Sequence, residues 1–126
     1  MIDGLFVIDA VAHAYNHLPE NWADPVLGQA MVDLAYHLAA DPPDPKYALS
    51  RDVYLSDWQV ADAANLLFRE SDTDVAVMHP LAISSFKDGY SSVAKAAEAI
   101  SKYPTRFIGA YACVDPLKGE DALRSL

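Results

Sequence analysis

With 126 residues, 52% of them hydrophobic and 21% charged, the chain has the balance of one ordinary globular domain. Its formal net charge of −9, with 9 lysines and arginines scattered along the sequence, works against nucleic acid and anionic membranes, which draw affinity from clustered cations. No apolar run reaches the roughly 18 to 20 residues of a membrane span; the opening MIDGLFVIDA lacks the basic start of a secretion signal, and the single Cys113 excludes an internal disulfide, so a cytoplasmic protein is expected.

The first element is LFVID, Leu5 to Asp9. It is a short apolar run without alternation, which predicts a strand near residues 5–10 buried on both faces. Asp24 followed by Pro25 is an N-cap with proline at the first helical position, and Val26, Leu27, Met31, Leu34, Ala35 and Leu38 recur at helical spacing. That helix should fail by DPPDP, Asp41 to Pro45. Ser56 is expected to cap a second helix, with Gln59 completing a capping box and Val60, Ala63, Ala64, Leu67 and Phe68 on the buried side. TDVAVMHP supplies a second strand near 74–78. An alanine-rich helix from about Ser92 to Tyr103 is stopped by Pro104, since the residue before proline leaves the helical region. RFIGAYACVDP gives a third strand near 107–113, and a further helix starts at Glu120 or Asp121.

This alternation is that of a parallel α/β fold, with strands expected in the order 1-2-3. An order 2-1-3 would instead indicate a doubly wound domain. No internal repeat is seen beyond the alternation. The stretch between the first two strands is too long for a simple crossover and reads as an insertion at about 14–55 carrying its own helix. Three strands alone leave sheet edges and apolar faces uncovered, so oligomerisation or association through an exposed sheet edge is expected.

Binding groups in such folds gather beyond the carboxyl ends of strands. Asp9 and His13 follow the first strand, His79 the second, and Cys113 with Asp115 the third. Each also has a structural reading. Asp9 can bond loop N–H groups, His79 can be satisfied by a carbonyl, Cys113 can serve as a small core hydrophobe, and Asp115 can belong to the turn into the next helix. His13 and His17 stand four apart, as in the zinc motif HExxH, but Ala14 replaces its glutamate, and Asn16 and Pro19 suit a helix poorly.

VIDAVAHAY resembles the opening strand of the amidohydrolase-related (amidohydrolase 2) enzymes, in which an Ile-Asp pair precedes a His-x-His metal motif. YPTRFIGAYACVDP is similar to that family's link into its third strand and the turn beyond it. The resemblance covers residues 1 to about 13 and 56–126. It implies a (β/α)8, TIM-barrel-like fold, of which residues 1–126 form about the first three β-α units of one domain. It also implies a metal-dependent hydrolase or carboxy-lyase acting on a small organic acid or cyclic substrate. His13 would be a metal ligand, Asp9, His79 and Asp115 would lie around the substrate pocket, and a divalent metal, zinc first, would be bound by a full-length form. One departure stands out, for Val11 occupies the place of the first metal histidine. A catalytic zinc takes about three protein ligands, so weak or no zinc binding is expected of this chain alone. The alternative is a non-catalytic fragment or pseudo-enzyme that associates with a partner chain. A flavodoxin-like binding domain is a third option, though the 5 glycines form no phosphate loop.

Overall fold

The computed structural model describes residues 2–116 and 119–124. Three strands, β1 (Ile8–Ala12), β2 (Val75–Met78) and β3 (Phe107–Ala110), form a parallel sheet in the order β1-β2-β3. The order agrees with the expectation for consecutive β-α units and not with the 2-1-3 arrangement. The helices are α1 (Pro25–Ala39), the single turn α2 (Arg51–Tyr54), α3 (Val60–Asn65), α4 (Val93–Lys102) and the short α5 (Glu120–Leu123). Residues Leu66–Glu70 prolong α3 as a π-helical segment. The chain is therefore mixed α/β around a small parallel sheet.

One face of the sheet is covered. Ala12, Ala76, Met78 and Phe107 pack there against Val60, Ala63 and Ala64 of α3 and Ala96 and Ala99 of α4. Phe107 and Met78 are the largest fully buried side chains of this core. Burying each contributes roughly 1.5–3 kcal/mol. Small alanines on both sides let the helices approach the sheet closely. A second cluster lies beyond the carboxyl ends of the strands, where Val32 of α1 meets Phe86 and Tyr90 of the loop after β2. Buried Asn21 ties this layer together, its amide donating to the carbonyls of Asn16 and Gly89 and its oxygen accepting from Asp88 N–H. The insertion is thus a lid of backbone and aromatic rings over the strand ends.

Several elements follow the local sequence. Asp24 accepts from the N–H groups of Val26 and Leu27 at the start of α1, and the helix stops at Ala39 before the prolines. Ser92 accepts from Lys95 N–H at the start of α4.

Two expectations are corrected. β1 begins at Ile8 instead of Leu5, because Asp3 and Gly4 adopt positive φ (50° and 80°) and fold Ile2 back onto Leu5 in a tight turn. Nor is β1 buried on both faces. Ile8 and Ile108 are 53% and 56% exposed on the side away from α3 and α4. The unalternating apolar run marks a two-sided apolar strand, but on the second side Ile8 and Ile108 stay half exposed while Val75 between them is buried.

The second correction concerns the cap of α3. Gln59 is the N-cap, and Asp62 returns the hydrogen bond to its N–H at 2.9 Å. Ser56 lies upstream, donating instead to the Val53 carbonyl. The reason is tertiary. Residues 56–58 run extended beside Tyr15 to His17, with His17 N–H donating to Ser56 O and Trp58 N–H to Tyr15 O, so no helix can start there.

Candidate functional site

The site is built from the chain leaving β1. Asp9 pairs with Ala76 and Ala12 with Met78, so β1 carries one residue more than β2 over this interval, a bulge. The extra N–H of Val11 is satisfied by the Asp9 carboxylate at 2.9 Å. His13 follows directly. Its Nδ1 lies 2.7 Å from the His79 carbonyl oxygen, and since a carbonyl only accepts, Nδ1 carries the proton. Nε2 is then an unprotonated acceptor. His79 itself is fixed where β2 ends, its N–H donating to Ala12 O.

Beyond His13 the chain stays extended, which puts residues at every second position on one side. His13 and Tyr15 stack with ring centroids 4.9 Å apart, and the His17 ring lies tilted against Tyr15 at 5.4 Å. His17 lies tilted against Tyr54 at 5.0 Å and meets Tyr90 edge-on at 5.2 Å. His17 is 1% exposed, and its Nδ1 faces the Ser56 carbonyl at 3.2 Å. The two histidines therefore share one tautomer. Nε2 of His17 and Nδ1 of His79 are buried without a hydrogen-bond partner among the described residues. For His17 the unpaired atom is an acceptor, not an N–H group.

Lys95 of α4 holds this segment in place. Its ammonium donates to the carbonyls of Ala14 (3.3 Å), Tyr15 (3.5 Å) and Trp58 (2.7 Å) and pairs with Asp57 at 2.5 Å. Its side chain is largely buried. One cation thus fastens the extended segment after β1 and the approach to α3 to the same helix.

Between these elements lies a cavity of about 280 Å³. Asp9 and His13 line it beside Tyr15, His17, Tyr54 and Trp58, with Leu49, Leu66 and Leu67 completing an apolar wall. Burial lowers the His13 pKa below the ordinary imidazole value; the His79 carbonyl bond and the Asp9 charge oppose this, and the His79 ring adds to it. Burial likewise lowers His17, and the Lys95 charge acts in the same direction. Burial raises Tyr15, Tyr54 and Tyr90, so the phenols stay protonated near neutrality. The cavity offers neutral imidazoles and one carboxylate.

Of the residues singled out in the sequence, Asp9 and His13 come together here, and the His79 ring is 5.2 Å from that of His13. Asp115 is placed elsewhere, beside Ala82, Ile83 and Val93. Cys113 is half-buried, with Sγ 3.1 Å from the Pro80 carbonyl. Tyr15, Tyr54, Trp58 and Lys95 were not anticipated. The first was legible in HAYNH, whose His-x-Tyr-x-His spacing has the period of an extended chain. The others depend on contacts across the fold.

A divalent metal is implied by the resemblance. His13 has the orientation of a ligand, with its second ring nitrogen held by a carbonyl. The rest of the donor set does not fit, because among the described residues no three His, Cys, Asp or Glu side chains group to hold an ion. No helix among them is long and apolar enough to cross a membrane. Comparisons with protein-family models, curated proteins and solved structures find no match for this chain.

Proposed function

We propose that the chain is part of an amidohydrolase-like (β/α)8 barrel, acting as a hydrolase or carboxy-lyase on a small organic acid or cyclic substrate. The observation that carries the reading is His13. It stands at the carboxyl edge of a parallel sheet, neutral, with Nδ1–H held by the His79 carbonyl and Nε2 left as a base beside a cavity. In hydrolysis Nε2 takes a proton from the water whose oxygen bonds the substrate carbonyl carbon. It returns that proton to the leaving oxygen or nitrogen as the carbon–heteroatom bond breaks. In decarboxylation the bond from the ring carbon to the carboxylate breaks, carbon dioxide leaves, and the ring carbon keeps the electron pair and takes a proton from water, the hydroxide so formed being neutralised by the solvent. The helices on a single face of the sheet, with apolar Ile8 and Ile108 on the other, support a barrel wall.

The test is turnover of dihydrocoumarin, a cyclic ester, and of 2-hydroxybenzoate, with and without added zinc. A His13→Gln variant should lose on the order of 100-fold of the rate. Equal rates in the variant, or no turnover of either compound under any condition, would overturn the proposal.

The uncovered sheet face also favours a second reading, a non-catalytic chain that associates through it. In that case sedimentation velocity would show a self-associating species that Ile108→Lys reduces to monomer, and neither compound would turn over.

A further inference from the structure

The cavity beside His13 has a chemical bias that the class of enzyme does not itself specify. Among its lining residues there is no lysine or arginine, and the one charged side chain is the Asp9 carboxylate. Lys95, the nearest described cation to this segment, is spent on Asp57 and three carbonyls. An anion entering here would lose its water, meet Asp9 and find no positive partner. The ring walls point the other way. Tyr15 stacks on His13 with the planes 25° apart, and Tyr54 and Trp58 line the same space. Both indole and phenol of that pair are already anchored, Trp58 Nε1 to the Tyr54 carbonyl and Tyr54 Oη to the Ala35 carbonyl, so they present faces and not donors. Of the two imidazole acceptors without a partner, His17 Nε2 is buried from solvent, so His13 Nε2 is the one offered to a ligand.

We infer that this cavity binds a single planar ring bearing an O–H or N–H donor and no negative charge, the donor bonding His13 Nε2 and the ring lying against Tyr15 and Trp58. The assignment rests on the cavity being the substrate site proposed above. It narrows that reading to uncharged cyclic substrates and so to the hydrolase, since the substrate of a carboxy-lyase carries a carboxylate. The volume suits one ring, since a dry cavity of roughly 150 Å³ takes benzene and this one measures about 280 Å³.

Binding of phenol, toluene and benzoate to the whole chain is the test, followed by imidazole and indole resonances at about pH 7.5, where His13 and His17, their pKa values lowered by burial, are neutral. Phenol should bind about tenfold more tightly than benzoate and roughly fivefold more tightly than toluene, shifting His13 and Trp58 together. In His13→Leu the preference for phenol over toluene should vanish while toluene binding persists. The ranking in the unaltered chain needs no variant to be read. Benzoate binding as tightly as phenol, phenol no better than toluene, or shifts that leave His13 and Trp58 unmoved would overturn the inference. These outcomes are separate from turnover: a chain that cleaves dihydrocoumarin through His13 but ranks benzoate first keeps the enzyme reading and loses this one.

Discussion

Replacing Lys95 by methionine keeps the length and apolar stem of the side chain and removes its charge. The ammonium bonds three backbone carbonyls and Asp57, with 15% of its side chain and 31% of that of Asp57 exposed. Truncating one partner of a fully buried pair costs about 3–5 kcal/mol. Partial exposure lets water reach Asp57 in the variant, and two of the carbonyl contacts are long, so a loss of about 2–4 kcal/mol is expected. That is a large fraction of the roughly 5–15 kcal/mol that holds a domain together. Urea unfolding monitored by circular dichroism measures it. The loss should be accompanied by broadening of the His13 and His17 imidazole resonances, because the segment carrying them is what Lys95 fastens. Lys95→Arg should recover part of the stability. A Lys95→Met variant within about 0.5 kcal/mol of the parent, with sharp imidazole signals, would refute the claim that this cation positions the histidines.

Other perturbations follow from single contacts. A Cβ at Gly28 would lie 2.6 Å from Trp22 Cγ, so Gly28→Ala should destabilise by about 1–3 kcal/mol in chemical unfolding despite its better helix propensity. Asp24→Ala removes the cap of α1 and should cost about 1 kcal/mol, read from the same experiment. Acidification should destabilise the fold. His13 and His17 have pKa values lowered from 6.5 by burial, so the unfolded chain binds protons first. Their contribution is complete above about 6.5 and is lost as pH falls through the folded values. Melting temperatures at about pH 7.5 and pH 5.5 test this; no fall on acidification would contradict the buried neutral imidazoles.

Much of the architecture was legible because local signals and tertiary demands agree. Asp24-Pro25 and Ser92 cap their helices as the residues suggest, and the apolar runs at Val75 and Phe107 enter the core as strands. The misread positions are those where distant chain intervenes. Ser56 has the chemistry of a cap, yet its carbonyl is taken by His17 and its hydroxyl by Val53, so the helix waits for Gln59. Leu5 has the character of a strand, but the positive φ of Asp3 and Gly4 turns it out of the sheet. In the site, Asp9 and His13 were visible from their place after an apolar run. Trp58 and Lys95 were not, since nothing in their neighbourhood along the chain reveals that both fold over the end of β1.

The bulge in β1 connects the resemblance to its departure. In an unbroken strand residues 9, 11 and 13 would share a face, and a histidine at position 11 would stand beside His13. Here four residues of β1, from Asp9 to Ala12, span what three residues of β2 span, from Ala76 to Met78. Paired residues share a face, so Asp9 and Ala12 fall on the same side and the alternation is reversed beyond them. Val11 lies within the irregularity, its N–H turned to the Asp9 carboxylate, and its side chain is half exposed. The aspartate that the resemblance assigns to the pocket thus has one oxygen engaged in holding the bulge. The position assigned to the missing ligand lies outside the register of the pair that brackets it. What the bulge sets up instead is a new series of period two, His13, Tyr15 and His17, whose first member is oriented by His79 and whose rings line the cavity. That series lines the end of β1 with alternating aromatic faces and unprotonated nitrogens.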